Sequence, residues 1–368
     1  MSLLRKILLS ILGVIVLGIA GLAVALSHNS PCGAAPTAAP KVPMKAAVNR
    51  CYGSADVVRV EAVERPVPAD HGVLVRVHAS SVNPLDWHFM LGEPYVMRAG
   101  SGWGSPKDVY LGTDFAGTVV AVGRLVTRFK VGDEVFGGGD GAFAEYLRIP
   151  ETQVIALKPS NVSFEEAAAT PVAGITALQA LRDVGHVHAG DKVLVNGAGG
   201  GVGTFAVQVA RALGASVTGV TSTANLERVR SLGADQVQDY TTQDFTQGAE
   251  RYDVIFDLSG NHSLSAYRRV LSPGGTYIMV GDTDKGAWLG PLQGLAKTLI
   301  VSKFSKQRLM PVFASLSGPT DLMTLAAMMQ SGKLKPVIDR RYDLDRVADA
   351  IRYQQTGHAS GKVIVTMN

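Results

Sequence analysis

The sequence predicts an α/β protein in which a mostly-β domain encloses a doubly wound parallel sheet, with one transmembrane helix in front. Three observations carry this expectation. A charge-free apolar run opens the chain, short β-branched segments broken by turn residues follow it, and strand and helix alternate regularly after about residue 173. With 368 residues and 46% apolar content, the chain has room for two or three domains with packed cores.

Ile7 to Leu26 gives twenty residues without a charge, preceded by Arg5 and Lys6. That is about the length a helix needs to cross a bilayer, and it exceeds the usual core of a signal peptide. The expectation is an uncleaved single-pass membrane anchor over 7–26, with the lipid bilayer as a partner. A signal cleaved near Ala23-Val24-Ala25 and a buried core helix are the alternatives. Arg5 and Lys6 favour a cytoplasmic N-terminus, which leaves the remaining domains on the far side. The stretch SHNSPCGAAPTAAPKVP, with prolines at 31, 36, 40 and 43, reads as a semi-extended linker to 43, and folded structure is expected from Met44.

From Met44 to about Pro171, runs such as VVRVEAV, GVLVRVHAS and GTVVAVG are separated by Gly, Pro and Asp. Such spacing predicts a compact, mostly antiparallel barrel-like domain. From Ala173 the period changes to helix (ITALQALRDV), buried strand (KVLVN), and a helix on which Val202, Ala206, Val209, Ala210 and Leu213 share one face before Gly214 stops it. The strand–helix series then continues through SVTGVT, LERVRSLGA, YDVIFDL, SLSAYRRVL and TYIMVG. The tail from about Gly318 reads helix, helix, strand, and is expected to fold back onto the first domain. The boundaries are therefore 44–171 plus 314–368 for the mostly-β domain and 172–313 for the domain of alternating strand and helix.

Composition narrows the function. The net charge of +4 is small and the basic residues are scattered among acids, so no nucleic-acid partner is expected. Cys32 and Cys51 are the only cysteines, too few for a disulfide framework or a thiolate-rich metal site.

The segment VLVNGAGGGVGT is the strongest chemical signal. A strand running into Ala198-x-Gly200-x-x-Gly203 and then a helix gathers backbone N–H groups at a helix N-terminus, a seat for a pyrophosphate. Ala198 begins the tight turn, Gly200 lets the phosphates approach, and Gly203 lets the helix lie on the sheet; the alternative is a merely structural turn. At the end of the next strand stand Thr221, Ser222 and Thr223, where an acid would select NAD. NADPH is the expected cofactor, with NADH accepted as well if Thr221 is only a strand terminus.

These residues, together with SSVNPLDW, LGTDFAGTVVAVG, VGDEVFG, GAFAEY, AAATPVAGITALQAL, SLGADQVQDY and GKVIV, make the chain from Met44 to Asn368 resemble the medium-chain dehydrogenase/reductase superfamily. More narrowly it is similar to the zinc-free quinone oxidoreductase branch, including the reticulon-interacting-protein type. The resemblance implies a GroES-like catalytic domain around a Rossmann domain. In zinc-bearing members a Cys, a His and a Glu hold the catalytic metal, and their positions correspond to Asn83, Thr113 and Asp114. No metal is expected there, and hydride transfer to a quinone or an α,β-unsaturated carbonyl is what remains. A nucleotide-binding sensor without turnover and an NAD(P)-dependent alcohol or aldehyde reductase are the other classes.

By the same resemblance Asn83 lies beside the nicotinamide and offers a hydrogen bond to a substrate oxygen, the alternative being a turn residue before Pro84. Thr176 lines the nicotinamide pocket, and Gly199, Gly200, Gly201, Val202 and Gly203 hold the pyrophosphate. Ser222 and Tyr240 approach the 2'-phosphate, unless Tyr240 is a strand-end aromatic. Relatives often carry Arg where Ala224 and Ser360 stand, so Arg228 and Lys362 are the cations left to compensate. Asp86 and Asp114 read as hydrogen-bonding scaffold. His88, Tyr95 and Tyr110 are weaker proton-donor candidates, and His186-x-His188 reads as a solvated loop rather than a metal site. The apolar stretch 288–304 is expected to cap the substrate cleft or to form a subunit surface, as in a homodimer.

Overall fold

The structure, a computed structural model, describes residues 3–281, 286–288, 290–312 and 314–367. A six-stranded parallel sheet runs in the order Gln236–Asp239, Ser216–Thr221, Lys192–Asn196, Tyr252–Asp257, Leu271–Met279, Arg308–Pro311. Its central strands are continuous Val, Leu, Ile and Phe because helices cover both faces. The helix Gly201–Ala212 follows Lys192–Asn196, and Phe205, Ala206, Val209 and Ala210 are fully buried on it. It is buried nearly all round, not on one stripe, because Gln208 also binds the tail through Lys335 O at 3.0 Å. Removing an aliphatic or aromatic side chain of this kind from water stabilises by about 1.5–3 kcal/mol each. The helix ends where Gly214 takes φ +90°, a conformation glycine adopts without a steric penalty.

The second sheet is seven-stranded in the order Ile338–Asp343, Lys362–Thr366, Gly72–Val82, Asp114–Val122, Glu134–Gly138, Val154–Leu157, with Tyr146–Pro150 also on Gly72–Val82. The tail does fold back, since Lys362–Thr366 pairs antiparallel with Gly72–Val82 through Val363↔Val82. That pairing carries Lys362 to the end of the long strand from which Asn83 emerges. A two-stranded ribbon, Pro43–Val48 with Arg59–Glu64, completes the β structure among the described residues.

The N-terminus corrects the expectation of a membrane protein. The chain is helical over Leu3–Ser27, but among the described residues no helix is long and apolar enough to cross a membrane. The transmembrane helix, the bilayer as a partner and the membrane localisation are therefore withdrawn. The last turn of Leu3–Ser27 is also held by the folded domain, because Arg98 donates to Leu26 O at 3.0 Å and His28 O at 3.1 Å.

The segment that follows is likewise fastened. Ser30 N–H bonds Gly104 O at 2.8 Å, a disulfide joins Cys32 to Cys51, and Lys41 N–H bonds the Glu64 carboxylate at 2.6 Å. Arg98 is itself fully buried between the rings of Tyr52 and Tyr95, 4.3 and 4.4 Å from their centres.

Candidate active site

The glycine turn sits at the carboxyl end of a central parallel strand, where ligands of open α/β sheets bind. Gly197 takes φ +92°, and its N–H and that of Ala198 both donate to Val220 O, at 3.1 and 2.9 Å. The turn therefore begins one residue earlier than the sequence suggests. Ala198 is fully buried behind it. Gly200 is the N-cap of the helix Gly201–Ala212 and supplies no side-chain cap, which leaves the first helical N–H groups available for an anion.

Added side chains show which glycine serves which purpose. A Cβ at Gly203 would lie 2.1 Å from Gly197 O, and one at Gly199 2.4 Å from Thr221 Oγ1, so both are required by packing. A Cβ at Gly200 would meet only Gly197 O, at 3.5 Å, and otherwise points into open space. Val202 is half-buried against the core. A cradle that one methyl group would begin to fill, facing an uncapped helix, fits the pyrophosphate of a dinucleotide.

Along the same edge, Tyr240 N–H bonds Thr221 O at 3.1 Å while its ring is half exposed. Ser222 Oγ accepts from Asn225 Nδ2 at 3.3 Å. Arg228 reaches the same place, donating to the Asn225 side chain and, at 2.5 Å, to Ser360 O. The structure thus brings Ser222, Tyr240 and Arg228 to one neighbourhood. It adds Asp239, a residue the sequence did not single out, whose carboxylate accepts from Thr223 Oγ1 at 2.5 Å and from Thr241. Those hydrogen bonds hold its pKa below the ordinary carboxylate value.

The second half of the site is a buried polar cluster at the start of the helix Pro84–Leu91. Asp114 accepts four donors: Ser81 Oγ at 2.7 Å, Asn83 Nδ2 at 2.8 Å, Val172 N–H at 2.9 Å and Lys362 Nζ at 3.4 Å. Asn83 also donates from Nδ2 to Ser81 O at 3.3 Å and accepts at Oδ1 from Lys362 Nζ at 2.5 Å. Both of its Nδ2 protons are thus taken within the protein, and the expected donation to a substrate oxygen has no proton left for it.

Asp86, one turn along the helix, accepts from Asn83 N–H at 2.7 Å and Thr113 Oγ1 at 3.0 Å. Burial raises its pKa to about 7, and the neighbouring Asp114 adds to the effect. Burial pushes Lys362 the other way, below the ordinary lysine value, against the pull of Asp114 and Asp86. The expected scaffold of Asp86 and Asp114 is therefore present, but it holds a cation that sequence reasoning assigned elsewhere. The ammonium of Lys362 is bonded to Asn83 and Asp114. Its only advance signal is the GK pair before the last strand.

The remaining candidates divide. Thr176 Oγ1 bonds Val172 O at 2.7 Å, one turn from the residue whose N–H binds Asp114. His88 Nδ1 is bonded to Glu93 O at 2.8 Å, and burial lowers its pKa. Tyr95 meets Trp288 edge-on at 4.9 Å, and Tyr110 is exposed beside Val48. His186 and His188 are exposed on their loop. Among the described residues no three His, Cys, Asp or Glu side chains converge on a point that could hold a metal. Within 288–304, residue 289 and the side chains at 290–293 and 295 lie outside the described residues. Elsewhere in that stretch Thr298 is buried, and Leu299, Ile300 and Phe304 are exposed.

Known proteins share this fold. Residues 69–159 match the alcohol dehydrogenase GroES-like domain and residues 232–365 the zinc-binding dehydrogenase family. The chain is 36% identical to a 2-methylene-furan-3-one reductase of Solanum lycopersicum, over 88% of this chain and 79% of that one. It is 35% identical to a chloroplastic NADPH-dependent alkenal/one oxidoreductase of Arabidopsis thaliana, with the same coverage of 88% and 79%. A quinone oxidoreductase from Coxiella burnetii superposes with a TM-score of 0.75 at 27% identity, covering 89% of this chain and all of that one. Sequence and architecture agree, and the chain belongs to the medium-chain dehydrogenase/reductase superfamily, in its quinone oxidoreductase branch.

Proposed function

We propose that the protein is an NADPH-dependent oxidoreductase that transfers hydride to a quinone or an α,β-unsaturated carbonyl. The observation that carries this reading is the uncapped, open glycine turn at Gly200, joined through Lys362 to a buried cluster of Asn83, Asp86, Thr113 and Asp114. The turn Gly197–Gly203 and the helix N-terminus hold the pyrophosphate. Ser222, Tyr240 and Arg228 take the 2'-phosphate, and the Asp239 carboxylate opposes it, so NADPH is preferred over NADH by a modest factor. Thr176 lines the nicotinamide pocket, and Asn83 lies behind the ring. Residues 44–171 with 314–368 form the catalytic domain, and 172–313 the nucleotide domain.

When bound, the reduced nicotinamide supplies two electrons and a hydrogen as hydride. The positions of Asn83, Thr113 and Asp114 offer an amide, a hydroxyl and a carboxylate already engaged with one another. An acceptor must therefore be electrophilic by its own conjugation, which quinones and enones are. The relatives named for furanone and alkenal reduction and the solved quinone oxidoreductase support this class. Steady-state assays with 1,4-quinones and enones, comparing NADPH with NADH, test the reading. Consumption of NADPH with at least one class is the expected result, and no oxidation of either nucleotide with any acceptor overturns it.

A further inference from the structure

Lys362 is a costly residue to place where it is. Its side chain is 4% exposed, and a buried ammonium without partners is strongly unfavourable. Among the described residues its ammonium has two partners, Asn83 Oδ1 at 2.5 Å and Asp114 Oδ2 at 3.4 Å. Only the second is a formal countercharge. A surface position or an apolar residue would satisfy the strand Lys362–Thr366 equally well, so the fold alone does not call for a lysine here.

The stem of the same side chain touches the other half of the site. A Cβ added at Gly201, the first residue of the nucleotide helix, would lie 3.2 Å from Lys362 Cδ and 3.5 Å from Gly361 O. Gly361 holds φ +131°, and its own added Cβ would strike Val337 O at 2.7 Å. Only glycine turns the chain so that Lys362 runs along the phosphate cradle toward Asn83. One residue therefore lies beside the turn proposed to seat the pyrophosphate and bonds the amide of Asn83, from which it is 279 positions away in sequence.

We propose that Lys362 is a positioning residue for hydride transfer. It fixes the separation and orientation of the Asn83–Asp114 cluster relative to the glycine turn, so that the nicotinamide end of the cofactor has a single seat. The inference rests on the oxidoreductase reading above and adds to it a residue that acts through Asn83 rather than on the substrate. Its burial means that it acts from behind the pocket wall. The four donors on Asp114, one of them the Val172 N–H at the head of the helix Pro171–Gln179, extend the same bracing to the helix that carries Thr176.

Two measurements on Lys362→Met test this. The first is turnover: kcat is expected to fall about 100-fold, while KM for NADPH rises by no more than the roughly tenfold loss of nicotinamide-end affinity that the second measurement reads. The second needs no turnover. Calorimetric affinities for NADP+ and for 2'-phospho-ADP-ribose, which lacks the nicotinamide, are compared, and their ratio is expected to fall about tenfold in the variant while the fragment binds as before. If Lys362→Met does not fold, Lys362→Gln keeps a hydrogen-bond donor of shorter reach, and the same loss in the affinity ratio is expected of it.

A raised KM with unchanged kcat would make Lys362 a phosphate ligand and overturn the proposal. So would an unchanged affinity ratio in a folded variant. If the wild-type chain binds NADP+ but oxidises NADPH with no acceptor, the oxidoreductase reading fails by itself, and the affinity ratio still decides the role of Lys362.

Discussion

Replacing Gly200 by alanine separates cofactor binding from folding, because the structure gives that glycine no internal reason to lack a side chain. Its backbone is at φ −82°, ψ 178°, an ordinary extended conformation for any residue, and the added methyl meets nothing nearer than Gly197 O at 3.5 Å. The stability change is therefore small. Alanine is a poorer N-cap than glycine by less than about 1 kcal/mol, and the loss of unfolded-chain freedom returns about 0.4–1 kcal/mol. The melting temperature should stay within a few degrees.

The methyl does, however, occupy the space a pyrophosphate would enter. Losing one charge-assisted bond from a backbone N–H to a phosphate oxygen costs about 1.5–3 kcal/mol, or about 10- to 150-fold in Kd. Fluorescence titration with NADPH, paired with thermal melting, measures both quantities. Gly203→Ala is the contrasting control, since its Cβ would lie 2.1 Å from Gly197 O, and it should lower the melting temperature whether or not cofactor is present. A Gly200→Ala protein that melts like wild type and binds NADPH as tightly would refute the assignment of the glycine turn to the pyrophosphate.

Three further outcomes are expected. Asp86 has its folded pKa raised to about 7 by burial, so the stability it contributes is complete below the unfolded value of about 3.8 and is lost as pH rises through about 7. The melting temperature of Asp86→Asn, compared with wild type, should then improve steadily from pH 4 to 7, and a pH-independent difference would contradict this. Reducing Cys32–Cys51, separated by 19 positions, should cost about 3 kcal/mol by the loop-entropy account and expose the segment around His28 to protease, whereas identical melting with and without dithiothreitol would count against a closed disulfide. Arg228→Ala should raise KM for NADPH about tenfold or more and leave KM for NADH unchanged, since a guanidinium–phosphate contact contributes about 1.5–3 kcal/mol. Equal effects on both cofactors would remove Arg228 from the 2'-phosphate.

How much of this was readable in advance varies with how local its cause is. The glycine turn was legible because a strand, a bare backbone and a helix start must be contiguous in sequence to be contiguous in space. Even there the start of the turn shifted to Gly197, since which glycine takes a positive φ depends on the carbonyl of Val220 on the neighbouring strand. Asn83 was legible as a position but not as a chemistry. Its amide was expected to donate to substrate, and the buried neighbours Ser81 and Asp114 take both of its N–H donors while Lys362 bonds its oxygen. The apolar run at the N-terminus misled, since among the described residues no helix is long and apolar enough to cross a membrane, and Arg98 and a disulfide hold the chain where that helix ends.

By itself, then, the amino-acid sequence determined the short strands of the first domain, the alternation of strand and helix after them and the glycine-rich turn between a strand and a helix. All of these depend on residue type and spacing within a few turns of chain. Only the tertiary structure decided that Lys362 lies against Asn83 and Asp114, that Cys32 pairs with Cys51, and that Arg98 anchors the N-terminal segment. The physical reason is common to the three. The charge of a lysine, the reach of a thiol and the donors of a guanidinium act only on what lies within a few ångströms, and strand pairing such as Val363↔Val82 brings those partners together from opposite ends of the chain.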